Sequence, residues 1–288
     1  MKKIFRLMLG FFVLIIVLLI GFIFFIKHKL NYNNAPITVH QSFPLAGEKN
    51  IIMCLFPHPD DEISVAGTLY KLSQNTNNQL VGVYLTRGEA GSTGGLVAKE
   101  DLGRERSKEL ENAGKIVGYG ALEIFDFPDS GLPNTDSTAI KTEMLRMIYK
   151  YKPNIIISFD DKAGLYGHKD HIVTSKLIQH IFRENATVDS FPIRQLYCPT
   201  LSEGMLGIAL SMSSTFKKNY PKDPSKGLPA ASFAVEISSV GDKKLQAIQA
   251  HRTQKSTFTD VFPLHDKVSP HFYFYLFDRE YFALLQKR

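Results

Sequence analysis

Four short apolar runs punctuate this chain, Asn50–Phe56, Gln79–Thr86, Leu122–Phe127 and Asn154–Phe159. Each is followed by a segment whose apolar residues return every three or four positions: Glu62–Ser73, Val97–Val117, Ser137–Tyr151 and His168–Phe182. Runs rich in Ile, Val, Leu and Phe read as strands buried on both faces, and the longer period is that of amphipathic helices. Strands alternating with helices must be parallel, with the helices as crossovers covering the sheet. The sequence therefore predicts an α/β fold: a three-layer, doubly wound, mostly parallel, Rossmann-like sheet. Arg194–Cys198 and Ala231–Ile237 read as further strands, Val240–Arg252 as a helix, His271–Phe277 as a strand, and Phe216–Pro229 as a surface loop.

In open sheets of this kind ligands bind beyond the carboxyl ends of the strands. The segments that follow the four strands are PHPDDE, RGEAGSTGG, PDSGLPN and DDKAGLYGHKDH, all rich in polar residues or glycine. Packing gives no reason to set Asp60, Asp61 and Glu62 side by side, because like charges repel. His58 and Asp61 lie three apart at a strand end, and His168 and His171 lie three apart where a helix begins. A closely spaced pair plus a ligand from a distant loop is how hydrolytic metal sites are assembled, with one position left open. The two cysteines, Cys54 and Cys198, sit in separate apolar segments and offer no thiolate site, so His and carboxylates must hold any metal. One acid could then ligate while its neighbour takes a proton. Singly, an HxxH pair or acids at a helix start have bland explanations; their joint occurrence at the strand ends of one sheet does not.

Leu7–Ile26 is an uninterrupted run of twenty apolar residues and glycines, flanked by Lys2, Lys3 and Arg6 and by Lys27, His28 and Lys29. A helix of that length rises about 30 Å, the thickness of a bilayer's hydrocarbon core. Residues 1–29 read as a cytoplasmic flank and single transmembrane helix, 30–45 as a tether and 46–288 as one catalytic domain. The alternative is a cleaved signal peptide, although the run is long for one and no small-x-small cleavage site follows. The charge balance favours an N-terminus in the cytoplasm and an extracytoplasmic domain. The formal charge is +6, but the flanking residues supply five of 34 basic side chains, leaving 29 against 28 acids. Nothing here points to nucleic acid.

Five segments resemble the LmbE-like, PIG-L family of zinc-dependent N-acetylglucosaminyl deacetylases. PHPDDE matches its (A/P)HPDDE signature and Thr86–Gly91 its TxGExG. Arg106, Glu109, Ala113 and Gly118 match its RxxE…A…G helix, Gly167–His171 its GHPDH, and Lys244–Gln254 its AHxSQ segment. The resemblance implies Zn2+ held by His58, Asp61 and His171, with Asp60 as general base. It gives His168 the oxyanion and the leaving amine, with Asp170 orienting that ring. It further implies Arg106 on substrate hydroxyls or phosphate, a mobile Tyr166 near the carbonyl, Asp129 against the sugar, and His251 in a supporting role. Lys169 stands where the family has proline and Thr253 where it has serine; neither change removes a group the chemistry needs. The implied substrate is an acetylated amino sugar in a glycan, a glycolipid or a glucosaminide. The anchor fits poorly with a soluble role in thiol-cofactor synthesis. Another N-acyl amide as substrate, or a non-catalytic membrane-tethered carbohydrate-binding protein, remain as alternatives. A nucleotide binder using GEAGSTGG would need a GxGxxG or a Walker lysine, and both are missing. The sequence carries no signal for oligomeric state.

Overall fold

In the computed structural model, which describes residues 2–45 and 47–288, the long helix α1 (Lys2–Leu30) precedes β1 (Thr38–His40) and β2 (Asn50–Phe56). Then come α2 (Ala66–Ser73), β3 (Asn78–Tyr84), α3 (Leu102–Val117), β4 (Ala121–Ile124), α4 (Ser137–Tyr151) and β5 (Ile155–Ile157). A distorted turn α5 (Gly164–Gly167) leads into α6 (Lys169–Glu184) and β6 (Gln195–Thr200). The remainder is α7 (Glu203–Met212), α8 (Ser214–Asn219), β7 (Phe233–Glu236), α9 (Gly241–Ala250), α10 (Lys255–Val261), α11 (Pro270–Leu276) and β8 (Arg279–Lys287).

The strands make one sheet in the order β1-β7-β8-β6-β5-β2-β3-β4. All pairings are parallel except those of β8, which runs antiparallel between β6 and β7. The sheet is thus mixed, with a parallel half that includes every strand of the PHPDDE side. β2 shows the layering: Ile52, Cys54 and Phe56 join a core with Leu69, Leu110 and Ile248, from α2, α3 and α9. Met53 and Leu55 join the opposite core with Met144, Met147, Ile178 and Ile181, from α4 and α6. A period of two sends alternate side chains to opposite faces, so a strand apolar throughout needs a helical layer on each.

β2 and α4 have the bounds their periodicity predicts; other ends differ by a few residues. Larger differences lie in the C-terminal third. His271–Phe277, expected as a strand, belongs mostly to α11, because Ser269 caps it by accepting from Phe272 N at 3.3 Å and Pro270 occupies the first helical position. The strand comes after it, as β8. Phe216 opens no surface loop: it is buried in α8, whose N-cap Ser213 accepts from Phe216 N at 3.2 Å. α7 was not anticipated from periodicity at all.

Within 30–45, Thr38–His40 pairs with β7, and Leu30 and Phe43 are buried. α1 is long and apolar enough to cross a membrane, and its large apolar side chains from Ile4 to Phe25 are mostly more than 38% exposed. Its C-terminal end is fixed to the sheet domain. Lys27 Nζ lies 2.8 Å from Asp278, Asn31 Oδ1 accepts from Tyr281 Oη at 2.7 Å, and Ser202 Oγ donates to Leu30 O. At Gly204 a Cβ would come within 1.8 Å of Lys29 O, so only glycine permits this approach of α7 to α1.

Candidate active site

Because β2, β3 and β5 are parallel neighbours, their carboxyl ends bring PHPDDE, TRGEAG and the loop before α6 to one place. Pro57 O accepts from Thr86 N at 2.9 Å, pinning the first two together. His58, Asp61 and His171 are 6%, 8% and 0% exposed. His58 Nδ1 lies 3.2 Å from His171 Nε2 and 3.5 Å from Asp61 Oδ2, while His171 Nε2 lies 3.2 Å from Asp61 Oδ1. Three candidate ligand atoms thus face a common point.

Their other contacts fix which atoms carry hydrogens. His171 Nδ1 sits 3.0 Å from Gly164 O, which can only accept, so it donates and Nε2 keeps its lone pair. His58 Nε2 faces Asp129 Oδ1 at 3.1 Å and Asp170 Oδ2 at 3.2 Å, so the hydrogen belongs there and Nδ1 is left free. Carboxylate or carbonyl partners on the far nitrogen are the arrangement that orients metal-binding histidines. Two imidazoles and a carboxylate, with lone pairs converging, fit a divalent cation such as Zn2+. Burial alone would lower the His58 pKa, but Asp129, Asp170 and Asp61 outweigh it and hold it well above the usual value. Burial likewise opposes ionisation of Asp61, yet His171 and His58 depress its pKa. The pocket favours positive charge at this point.

Asp60 occupies a strained backbone position, φ 126° and ψ −12°. Its N–H donates to Glu62 Oε2 at 3.2 Å, and its carboxylate lies 2.8 Å from Arg106 Nη2. Burial pushes its pKa up to about 6, with Arg106 opposing and Asp61 adding to the rise. A carboxylate near neutrality can both take and return a proton. Glu62 is itself held by Tyr84 Oη at 3.0 Å and His251 Nε2 at 2.5 Å. The supporting role expected for His251 therefore has a route: His251 to Glu62 to the backbone of Asp60.

His168 lies in the same cluster, within 4.8 Å of His58 and His171. Its pKa is lowered to about 3, first by burial and then by the neighbouring His171 and His58. Nδ1 accepts from Asp170 N at 3.2 Å, which caps α6 and leaves the hydrogen on Nε2. A nitrogen carrying hydrogen cannot ligate, which sets His168 beside the three converging atoms.

Three of the expected residues are held by other protein groups. Asp170 does not orient the His168 ring with its carboxylate: Oδ2 contacts His58 Nε2 and accepts from Ser130 N at 2.8 Å, because its place in the first turn of α6 points it into the core. Asp129 has Oδ1 on His58 at 3.1 Å and Oδ2 accepting from Ala90 N at 2.9 Å. Arg106, 3% exposed, reaches under the TRGEAG loop to Gly88 O at 2.8 Å and to Asp60. At Gly88, φ is +69° and a Cβ would come 2.3 Å from Arg106 Nη1, which is why that loop needs glycine there. Of the expected substrate contacts, Tyr166 alone lines the adjoining cavity. Its ring centroid lies 5.1 Å from that of His171, and burial raises its pKa so that the phenol stays protonated.

A second buried clamp joins α3 to the segment after α9. Glu109 accepts from Thr253 N at 2.8 Å and Thr253 Oγ1 at 2.7 Å. Thr253→Val keeps the shape and removes the hydroxyl, leaving a buried carboxylate oxygen without its donor. Stability should fall by about 1–3 kcal/mol, read as a lower thermal midpoint of the full chain in detergent; an unchanged midpoint would show the clamp to be idle.

The model of the GlcNAc-PI de-N-acetylase family, PIG-L, matches residues 53–182. Diacetylchitobiose deacetylase of Thermococcus kodakarensis is 28% identical over 210 residues, covering 70% of this chain and 69% of its own. A probable N-acetyl-alpha-D-glucosaminyl L-malate deacetylase 2 of Bacillus anthracis is also 28% identical over 210 residues, covering 72% and 82%. Among solved structures, N,N'-diacetylchitobiose deacetylase from Pyrococcus horikoshii superposes with a TM-score of 0.59 at 18% identity, covering 84% of this chain and 87% of that one. The last likeness is one of fold.

Proposed function

Because this chain belongs to the PIG-L/LmbE-like family, we propose that it is a membrane-anchored, zinc-dependent hydrolase removing the acetyl group from an N-acetylglucosamine-containing glycan, glycolipid or glucosaminide. The observation that carries this reading is the convergence of lone pairs from His58, Asp61 and His171 beside a second, unligated carboxylate, Asp60. Curated relatives named as deacetylases of acetylated amino sugars support the substrate class. The length and apolarity of α1 support the anchor, and the balance of basic residues on its two sides favours a domain outside the cytoplasm.

His58, Asp61 and His171 would hold the cation, which when bound makes water nucleophilic at neutral pH and polarises a carbonyl. The residues of the chain supply the proton traffic. Asp60, steadied by Arg106, takes a proton from the attacking water as its oxygen bonds to the acetamide carbon. The His168 Nε2–H donates to the carbonyl oxygen as it becomes an oxyanion, and Tyr166 adds a second donor. The C–N bond then breaks, the nitrogen recovers its proton from Asp60, and acetate and a free amine result. The resemblance also gives His168 the task of protonating the amine. The proton available for return is the one Asp60 took from the water, so the amine recovers it from Asp60.

The test is hydrolysis of N-acetylglucosaminides by the full chain in detergent with Zn2+. One acetate and one primary amine should appear per turnover, and the protein extracted from membranes should keep the mass of α1. Sugar binding without turnover would favour the carbohydrate-binding alternative, turnover only of non-sugar amides would change the substrate class, and loss of the α1 mass would make that segment a signal peptide.

A further inference from the structure

A cavity of about 160 Å3 has Asp60, Asp61 and Tyr166 in its wall, yet most of the rest is hydrocarbon. Met205 and Ile208 of α7, Phe216 of α8 and Val261 of α10 contribute to it. An amino-sugar ring carries hydroxyls around its rim, and burying them against such a wall leaves them unpaired. The wall suits a hydrocarbon occupant.

Its position says where that occupant comes from. α7 is apolar along its length, EGMLGIALSM, but none of its residues is buried, and Leu210 and Met212 are 36% and 54% exposed. The start of α7 is bonded to the residues just after α1: Gly204 N donates to Tyr32 O at 3.1 Å and Asn34 N to Glu203 Oε1 at 3.2 Å. The helix that walls the cavity therefore begins where the anchor ends. Lys244 and Glu280 also line the cavity but are paired with each other at 2.6 Å, whereas Tyr273, 3% exposed, has a hydroxyl with no partner among the described residues, free to donate to an oxygen linking a tail to a headgroup.

We propose that this cavity receives the hydrocarbon tail of a membrane lipid that carries the acetylated sugar, entering from the bilayer beside α7 while the acetamide meets Asp60. The headgroup chemistry rests on the hydrolase reading above; the tail site stands on its own residues. Each methylene moved from water into such a wall favours binding by about fourfold.

The experiment compares methyl, butyl and octyl N-acetylglucosaminides, below micelle-forming concentrations, as substrates of the full chain. In parallel, vesicles of phosphatidylcholine containing a phospholipid with a diazirine in its acyl chain are used to photolabel the reconstituted protein. The value of kcat/KM should rise at least about 100-fold from methyl to octyl, and the label should reach α7 and α10 as well as α1. Met205→Asp and Ile208→Asp should each lower the octyl-to-methyl ratio at least about tenfold; the ratio is internal to each variant, so partial misfolding does not mimic the effect. Turnover independent of chain length overturns the tail site and leaves the hydrolase reading intact. Chain-length dependence with label confined to α1 overturns the bilayer as source and indicates a soluble apolar aglycone. No turnover of any glycoside, with α7 and α10 labelled, sinks the hydrolase reading and supports the tail site, whereas absence of both turnover and label defeats both.

Discussion

Asp60→Asn will lower kcat for acetate release by about 1,000-fold, with the metal content of the full chain unchanged. Asparagine is the informative replacement because it keeps the volume, can accept from Arg106, and tolerates unusual backbone angles better than alanine would at φ 126°. Only the capacity to take a proton is lost. Metal analysis and acetate release on the same preparation separate the outcomes. A variant with normal metal and normal rate would remove Asp60 from the chemistry, and one that loses metal would make it a ligand.

The second large effect concerns the three converging atoms. A chelator should abolish turnover by the wild-type chain, and added Zn2+ should restore it. Asp61→Asn and His171→Ala should bind much less than one equivalent of metal and stay below wild type by roughly three orders of magnitude or more even in added Zn2+. His171 also stacks on Phe159, with centroids 3.9 Å apart and planes 3° apart, so its alanine variant leaves a gap in the core. Asp61→Asn avoids that complication and is the sharper test. Full activity after exhaustive chelation, with metal absent by analysis, would overturn the metal site.

The parallel half of the sheet was legible because each of its strands is buried on both faces and each crossover helix on one, which prints both periods into the sequence. The same reasoning found His58, Asp60, Asp61, His168 and His171, since strand ends in such a sheet must converge. It failed at His271–Phe277, where an unbroken aromatic run has no period and the deciding signal was the Ser269-Pro270 start. Arg106, Asp129 and Asp170 came from the family resemblance, and a one-dimensional pattern does not say whether a side chain faces the ligand or braces its neighbour. Here Asp129 and Asp170 brace His58, and Arg106 braces Asp60. Glu62 begins the helical pattern Glu62–Ser73. Its bonds to Asp60 N and His251 span segments nearly two hundred residues apart, beyond the reach of local pattern. The cavity wall in α7 had a visible trace in Leu206–Met212, an apolar stretch in a region to which no element was assigned.

The fixed joint at Leu30 has a mechanical consequence. A helix joined to its domain by a slack linker transmits position but not attitude; the domain tumbles at the end of its leash. Here Lys27, Leu30 and Asn31 are each fastened to residues between Ser202 and Tyr281, and β1 follows almost at once. The inclination of α1 and the heading of the cavity become a single degree of freedom, as with a rudder on its post. Lengthening the junction by a few flexible residues would leave every chemical group in place and take away the steering.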